Sequence, residues 1–325
     1  MSKLKTVNGN ELLDMDINPP EFIVSEIMPV GLHMLAGSPK IGKSWLVLWL
    51  CDQIAKGEKI WEYDTRKSGV LYLALEDTYN RLHHRLTSIT EKSSDYINLA
   101  IESYSLEQGL LSQLKEYMFE NNNIKLIVID TFQQIRNADD RVNYANDYYE
   151  LTSIKKLADE HHIAILLVHH LRKMADNDPI NMISGSSGVS GAVDNIYILS
   201  KEKRIDNKAV LTITGRDIPD KAMNLEFDRE CNIWRFISYV TEEVNNTKQL
   251  LNSIQQLVEE QGEFLGSASE LVDQLNGIDC AKNRITSILN MNVIALRNSH
   301  NIIYSYKRTN NKRIISLKQV NNSDT

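Results

Sequence analysis

The segment GSPKIGKS at residues 37–44 constrains the fold of this chain more than any other part of it. It fits the pattern GxxxxGK[ST], in which a glycine-rich turn points successive backbone N–H groups at phosphate oxygens. The apolar run LHMLA precedes the turn, and SWLVLWLCDQIA, with apolar residues at helical spacing, follows it. This order of strand, loop and helix is the one that a phosphate-binding loop requires, so the sequence predicts a nucleotide site here.

Each residue type in the segment has its own chemistry. Lys43 is predicted to bridge the terminal phosphates, and the hydroxyl of Ser44 is predicted to bind Mg²⁺. The helix that begins near Lys43 directs the positive end of its dipole towards the same anion. The predicted nucleotide-binding residues are Gly37, Ser38, Pro39, Lys40, Ile41, Gly42, Lys43, Ser44 and Trp45. The structural alternative is a chance glycine–lysine turn between a strand and a helix.

After this segment, short apolar runs alternate with helical stretches. Three runs rich in Val, Ile and Leu have the composition of buried parallel strands: GVLYLALE (69–76), IKLIVID (124–130) and IAILLVHH (163–170). Four closely spaced later runs are predicted to extend the sheet with antiparallel strands: NIYILS, AVLTITGR, MNLEFD and NIWRFI. We therefore expect an α/β domain over residues 1–242, with a mainly parallel sheet flanked by helices, and a small domain over residues 243–325.

Acidic residues end two of the predicted strands. In open parallel sheets the ligand lies at the carboxyl ends of the strands, where these side chains are expected to meet the phosphates. Asp130 is predicted to hold Mg²⁺ through its water shell. Glu76 is predicted to be the base that orients and activates an attacking water. The alternative for Glu76 is a solvated acidic turn before the helix TYNRLHHRL, which Asp77 would cap.

The charge of the chain is unevenly distributed. Its net charge of −7 argues against a protein that coats nucleic acid. Residues 281–325, however, contain eight basic residues and one acidic residue, which gives this segment +7 and leaves −14 for the rest. No apolar run approaches the roughly 18 residues that a bilayer span needs, and the first residues lack the apolar core of a signal peptide. We therefore expect a cytoplasmic protein without a membrane partner.

The basic segment is part of a predicted small α+β domain. Three predicted helices are followed by HNIIYSYKRTNNKRIISLK, whose two strands flank a basic turn as a hairpin. Three helices and a hairpin are typical of a winged helix. Lys282 and Arg284 near the start of the third helix are placed to meet a phosphate backbone. Winged helices also dock proteins, so both DNA contact and protein docking stay open.

Four segments in order, GSPKIGKS, LYLALED, LIVIDTF and LLVHHLRK, resemble the motifs of the RecA-like ATPases. More specifically, they resemble those of the hexameric replicative helicases of plasmids and phages, of the RepA type, and the resemblance covers about residues 20–238. It implies a RecA-like core in a homo-hexameric ring, with ATP and Mg²⁺ held between neighbouring subunits. In that family the residue at the position of Glu76 is the catalytic carboxylate, and those at Lys43, Ser44 and Asp130 hold phosphate and magnesium.

The resemblance assigns roles to two further residues. His170, at the end of LLVHH, corresponds to the polar residue that senses the terminal phosphate, and His169 beside it is the weaker match. Arg216, in LTITGRDIP, corresponds to the arginine finger that reaches into the neighbouring subunit's site. The DnaB-type helicases have a lysine two residues before this arginine, where this chain has Thr214.

The resemblance also places two loops at the central channel of the ring. The first carries Arg136 and Arg141, and the second carries Arg172 and Lys173 ahead of a Gly/Ser-rich turn at residues 185–187. Backbone amides and hydroxyls of such a turn grip phosphates without reading sequence, which suits a motor on single-stranded DNA. The alternative is a pair of long surface loops.

Together these features predict an ATP-dependent helicase or translocase on single-stranded DNA, in the replication of a plasmid, phage or mobile element. A primase, a polymerase or an initiator of the same element is the expected kind of partner. One alternative is a RecA-like ATPase without unwinding activity, acting in recombination or helicase loading. The other is an ATP-switched DNA-binding initiator or regulator, in which the winged helix binds DNA and hydrolysis resets the state.

Overall fold

The structure is a computed structural model, which describes residues 4, 6–15, 19–136, 144–171, 183, 191–203, 205–240, 245–275, 282–309 and 312–320. The predicted channel residues Arg141, Arg172 and Lys173 and the turn at residues 185–187 lie outside these ranges. The chain forms two compact units. The large unit comprises residues 21–242, and the small unit comprises residues 1–20 and 243–325. Residues 1–20, which the sequence pattern assigns to the large domain, thus group with the small unit.

Fourteen strands and ten helices are formed by the described residues. The strands are β1 (Phe22–Val24), β2 (Met28–Pro29), β3 (Gly31–Gly37), β4 (Gly69–Ala74), β5 (Ile97–Ala100), β6 (Ile124–Asp130), β7 (Ala164–His170), β8 (Asn195–Ser200), β9 (Lys208–Gly215), β10 (Lys221–Asp228), β11 (Ile233–Tyr239), β12 (Glu263–Gly266), β13 (Ile302–Thr309) and β14 (Lys312–Gln319). The helices are α1 (Gly9–Asp14), α2 (Lys43–Lys56), α3 (Tyr79–Ile89), α4 (Leu110–Glu120), α5 (Phe132–Ile135), α6 (Tyr144–His161), α7 (Asn245–Gln261), α8 (Ala268–Gln274), α9 (Lys282–Met291) and α10 (Val293–Asn298). None of these helices, within the ranges described, is long and apolar enough to cross a bilayer.

Nine strands of the large unit form one sheet in the order β11-β10-β9-β8-β3-β7-β6-β4-β5. The strands from β8 to β5 in this order are parallel, and β9, β10 and β11 extend the sheet as an antiparallel meander. The prediction that NIYILS is antiparallel is wrong, because this segment is β8 and pairs with β3 in parallel, with His33 opposite Asn195. The connection from β7 to β8, residues 171–194, is long enough for the crossover that parallel pairing requires.

Helices cover both faces of this sheet. On one face, α4 and α6 bury their apolar residues against alternate strand positions such as Met34, Ile127 and Ile165. On the other face, Leu46 and Leu50 of α2 lie with Leu35 and Leu166 around a small apolar cavity. Since successive side chains of a strand point to opposite faces, the central strands are buried throughout, as the apolar runs predict.

The small unit is built around α7 and a three-stranded sheet in the order β12-β14-β13. The predicted hairpin is present as β13 and β14, and β12 is a strand that the sequence pattern missed. The third predicted helix, AKNRITSILNMNVIAL, is divided into α9 and α10 at Asn292. The buried amide of Asn292 donates to the carbonyl of Ile288 at 2.9 Å, and such local bonding competes with helix continuation.

Each unit has its own apolar core, which predicts separate unfolding transitions. Ile129 in β6 and Ile254 in α7 are both fully buried, one in each core. Truncating either side chain to Ala should cost about 3 kcal/mol of stability, because the cavity is only partly refilled. We expect Ile129→Ala to lower the midpoint of one calorimetric transition and Ile254→Ala that of the other. A single transition that both variants shift equally would contradict this division.

Candidate active site

The segment GSPKIGKS, residues 37–44, forms the turn that connects β3 to α2 at the carboxyl edge of the parallel strands. We call this segment the phosphate turn. Gly42 has φ of +106° and Lys40 has φ of +64°, so the turn passes twice through the left-handed region. A Cβ at Gly37 would lie 2.9 Å from the carbonyl oxygen of Leu199, and a Cβ at Gly42 would lie 3.1 Å from the indole nitrogen of Trp234. Glycine is therefore required at Gly37 by close packing against backbone, and at Gly42 by its backbone conformation.

The ammonium group of Lys43 is buried inside this turn, and its residue is only 5% exposed. It donates hydrogen bonds to the carbonyls of Gly37 at 2.8 Å and Ser38 at 3.2 Å, and lies 3.3 Å from Nδ1 of His170. Burial lowers the pKa of Lys43 to about 8, although the charges of Asp130 and Glu76 oppose this shift. A buried cation at the start of a helix, surrounded by backbone turn, is what an anionic phosphate needs.

Asp130 ends β6 beside this turn, and two hydroxyl groups bond to its carboxylate. Burial raises the pKa of Asp130, and hydrogen bonds from Ser44 and Tyr72 partly offset that shift. The hydroxyl of Tyr72 donates to Oδ2 at 2.9 Å. A buried carboxylate next to a serine hydroxyl fits Mg²⁺, which is commonly held by one or two protein oxygens together with substrate phosphates. No cluster of three or more His, Cys, Asp or Glu ligands occurs in the described part of the chain.

Glu76 lies two residues beyond β4, exposed at the same edge of the sheet. Its Oε1 accepts a hydrogen bond from the hydroxyl of Thr131 at 2.9 Å and lies 3.5 Å from Nε2 of Gln134. Both of these described bonds reach Oε1, so Oε2 is available to a water molecule. The charge of Glu76 acts on Lys43 and His170, so an exposed carboxylate lies near the turn, as a general base requires.

The neighbouring Asp77 is engaged elsewhere. Its side chain, which is 7% exposed, forms ion pairs with Arg81 at 2.9 Å and Arg85 at 2.5 Å. The predicted capping role of Asp77 is wrong, because the hydroxyl of Thr78 accepts the hydrogen bond from the amide of Arg81 and caps α3. Of the two adjacent acidic residues, Glu76 is thus the one whose carboxylate is exposed at the site.

The two histidines at the end of β7 differ in environment. His170 pairs with Gly37 in the sheet register and contacts Lys43. Burial lowers the pKa of His170, and the positive charge of Lys43 lowers it further, which favours a neutral ring whose Nδ1 accepts from the ammonium. His169 is buried on the opposite face of the strand, 5.8 Å from the ring of Phe132 between centroids. The structure therefore brings His170, and not His169, to the phosphate turn.

Arg216 lies at the other edge of the sheet. It follows β9, whose Gly215 pairs with Asn195 at the amino end of β8, roughly 13 Å along the strands from the phosphate turn. Its guanidinium donates to the carbonyl of Gly191 at 2.6 Å and lies 3.8 Å from Oδ1 of Asp194, with 55% of the side chain exposed. Arg216 therefore cannot act on a nucleotide in its own subunit's turn.

Several residues at the site were missed by sequence reasoning. Thr131 directly follows Asp130 in the segment LIVIDTF, and this position beside a predicted metal ligand was a signal that could have identified it. Tyr72 sits in an apolar strand, and a buried tyrosine hydroxyl usually finds a polar partner, here Asp130. Trp234, in the last strand of the meander, donates from Nε1 to the carbonyl of Gly42 at 3.3 Å. Nothing in the sequence near Trp234 indicates this contact.

Comparison with known proteins agrees with this geometry. The sequence model of the AAA domain family (AAA_25) matches residues 2–176, which is more than half of the chain. The chain belongs to the AAA domain family. A curated relative of this AAA domain protein, the probable replicative DNA helicase of Trieres chinensis, is 21% identical over 254 residues. The match covers 64% of this chain and 53% of the relative, so the chain spans about half the relative's length.

Two solved structures resemble the AAA domain protein. One is an isolated ATPase domain, which superposes with a TM-score of 0.53 at 16% identity, covering 64% of this chain and 85% of that domain. The other is a DnaB-like replicative helicase, described with its interactions with primase. It superposes with a TM-score of 0.51 at 16% identity, covering 65% of this chain and 57% of that one. At this identity the likeness establishes the fold, and the predicted RecA-like α/β core is confirmed.

The depressed pKa of Lys43 predicts a pH dependence of nucleotide affinity. Phosphates favour the charged ammonium, so the pKa of Lys43 rises on binding above its free value of about 8. Affinity should then be full below pH 8 and fall up to about tenfold per pH unit as the pH rises towards the higher, bound-state pKa. Titration calorimetry with ATP between pH 7 and 9.5 measures this. A Lys43→Arg variant, whose guanidinium stays protonated, should show a flatter profile, and a flat wild-type profile would contradict the prediction.

Proposed function

We propose that this AAA domain protein is an ATP-driven helicase or translocase that moves on single-stranded DNA as a homo-hexameric ring. One observation carries the proposal: Lys43, Asp130, Glu76 and His170 come together at one edge of the sheet, whereas Arg216 lies at the other. A nucleotide bound at the first edge cannot receive an arginine finger from Arg216 of its own subunit. A neighbouring subunit supplies one if the subunits stack edge to edge in a closed ring.

Nucleotide binding would rest on the residues of the phosphate turn. Lys43 exchanges its bonds to the carbonyls of Gly37 and Ser38 for bonds to the terminal phosphates. The amides of the turn and the start of α2 surround the same oxygens. Mg²⁺ held at Ser44 and Asp130 would offset phosphate charge and orient the leaving group.

Hydrolysis would rest on Glu76. Its carboxylate is oriented by the hydroxyl of Thr131, and its second oxygen is available to take a proton from the attacking water. His170 contacts Lys43 and stands at the end of β7, immediately before the second predicted DNA loop. A change in the bonding of Lys43 when the terminal phosphate departs would therefore reach His170 directly, which supports its role as a sensor.

The choice of DNA rests on the relatives and on the two predicted channel loops. The curated relative is named a probable replicative DNA helicase, and one structural neighbour is a DnaB-like replicative helicase. Of the loop residues, Arg136 is the one within the described ranges, and its guanidinium is paired with Glu150 at 2.8 Å. The pairing supports a structural role for Arg136, so DNA contact in our proposal rests mainly on the second loop. A primase is a proposed partner, because the DnaB-like neighbour is described as interacting with one.

The small unit is proposed as a winged-helix-like module that adds affinity for DNA. After residue 281, Arg284, Arg297, Lys307 and Lys318 are exposed, and Lys318 is paired with Glu263 at 3.1 Å. Residues 243–325 as a whole contain nine basic and eight acidic residues, so the positive charge is confined to the half after residue 281. That confinement supports a one-sided contact with a phosphate backbone, and protein docking is the other use of such a module.

The first test separates binding from turnover. We expect Lys43→Ala to abolish ATP binding, because the charge that compensates the phosphates is lost. Glu76→Gln should retain binding within about threefold and lose at least about a hundredfold in hydrolysis, because only the base is removed. The wild type should hydrolyse ATP faster with single-stranded DNA and displace a strand from a forked duplex, and Glu76→Gln should do neither.

The same assays distinguish the alternatives. Stimulation by single-stranded DNA without strand displacement would indicate an ATPase of recombination or helicase loading. Stimulation by a duplex site alone would indicate a regulator or initiator. Normal hydrolysis by Glu76→Gln would contradict the assignment of the base.

The second test concerns Arg216. We expect Arg216→Ala to leave ATP binding nearly unchanged while removing hydrolysis, because an arginine finger meets charge that develops in the transition state. In a mixture of Arg216→Ala and Glu76→Gln subunits, some interfaces combine an intact base with an intact arginine from the neighbour. ATPase activity of the mixture above that of either variant alone is therefore expected. Normal hydrolysis by Arg216→Ala alone would contradict both the finger and the ring.

A further inference from the structure

Trp234, in β11 of the antiparallel meander, packs directly behind the phosphate turn. Its ring is fully buried and its Nε1 donates to the carbonyl of Gly42 at 3.3 Å. The ring is so close that a Cβ on Gly42 would lie 3.1 to 3.2 Å from its atoms. Trp234 thus contacts Gly42, the residue at which the turn ends and α2 begins.

The position of the Trp234 ring is itself fixed from several directions. Phe227, across the strand pair, meets the ring edge to face with centroids 5.1 Å apart. The ammonium of Lys201 lies 5.0 Å from the ring centroid, within cation–π range. The indole of Trp61 donates to the backbone carbonyl of Trp234 at 2.7 Å. These contacts leave the ring little freedom to move away from Gly42.

Two sets of side-chain contacts hold the turn, in addition to its backbone hydrogen bonds, such as that from the amide of Ile41 to the carbonyl of Ser38. One is internal, from the ammonium of Lys43 to the carbonyls of Gly37 and Ser38. The other is external, from Trp234 to Gly42. An ammonium has three donors, and those that turn to phosphates are withdrawn from the carbonyls. The internal contacts are weakened when a nucleotide binds. The external contact joins the indole N–H of Trp234 to the carbonyl of Gly42, and neither of these groups is predicted to bind phosphate.

We propose that Trp234 is a positioning residue of the nucleotide site, which keeps the phosphate turn open once Lys43 turns to the phosphates. Lys201 secures the ring in this position. The inference rests on the proposed function, since it requires that ATP binds at the turn. Because the contact matters most in the nucleotide-bound state, its loss weakens nucleotide affinity rather than the chemical step.

The primary test is Trp234→Phe, which keeps an aromatic ring and removes the N–H donor. The dissociation constant for a non-hydrolysable ATP analogue with Mg²⁺ should rise about fivefold, the equilibrium factor of one neutral hydrogen bond. The kcat at saturating ATP should stay within about twofold, and KM should rise with the dissociation constant. Trp49→Phe is the matched control, because Trp49 lies in α2 and its ring packs on Trp61 at 5.6 Å. The control should change affinity by less than about twofold.

A second variant, at Lys201, tests the same contact. It should disturb folding less, because Lys201 is only partly buried. Lys201→Met removes the cation over Trp234 and should raise the dissociation constant about two- to fivefold, whereas Lys201→Arg should restore wild-type affinity. Lys203→Met removes the same charge from an exposed position two residues away, and controls for general electrostatic attraction of the nucleotide. It should have less than half the effect of Lys201→Met.

The outcomes separate this inference from the proposed function. A wild type that binds no nucleotide overturns both. If the wild type binds and Trp234→Phe lowers only the melting temperature, with an unchanged dissociation constant, the ring has a structural role alone and the inference is wrong. If Trp234→Phe does not fold, Lys201→Met decides, and equal affinities of Lys201→Met and wild type overturn the inference.

Discussion

The structure of the site depends on one buried ammonium group. Lys43 lies inside the turn after β3, where burial lowers its pKa to about 8 and where its bonds reach the carbonyls of Gly37 and Ser38. Carbonyl dipoles and a neutral imidazole compensate a full positive charge only in part. The amides of the turn, the start of α2 and the nearby carboxylates surround the ammonium group, and under the proposed function a phosphate with its metal would complete the balance of charge.

The parallel sheet brings these groups together without any local sequence signal that links them. Gly37 lies beside His170, and Ala74 beside Asp130, in the register of neighbouring strands. Because all these strands run in the same direction, their carboxyl ends share one edge. The antiparallel meander reverses direction and carries Arg216 to the other edge. Division of the proposed catalytic groups between two edges suits the proposed enzyme, whose sites lie between subunits.

Much of the site was predictable because its chemistry is concentrated at strand ends and in one short motif. Asp130 and Glu76 stand at the ends of apolar runs, and this position indicates a site only together with the motif GSPKIGKS upstream, because ligands of open parallel sheets lie at the carboxyl ends of the strands. The predicted antiparallel orientation of NIYILS was wrong, since an apolar run does not state its direction. The pattern predicts one helix through Asn292 because its neighbours favour helix, and only the buried bond from Asn292 to Ile288 shows why the helix is divided there. The role of Thr131 was not predicted, because a threonine next to an aspartate at a strand end carries no distinct signal of its own apart from that position.

What the sequence by itself determined is the phosphate turn, its glycines, the strand and helix on either side, and the acidic strand ends. These features follow from local geometry, because a turn that binds phosphate needs a glycine such as Gly42 and a lysine such as Lys43 close together in the chain. Only the tertiary structure decided which side chains support that turn. Trp234 is separated from Gly42 by 192 residues, and their contact exists because α2 packs against the last strand of the sheet. Contacts at such separation depend on packing of the whole sheet, which no local pattern encodes.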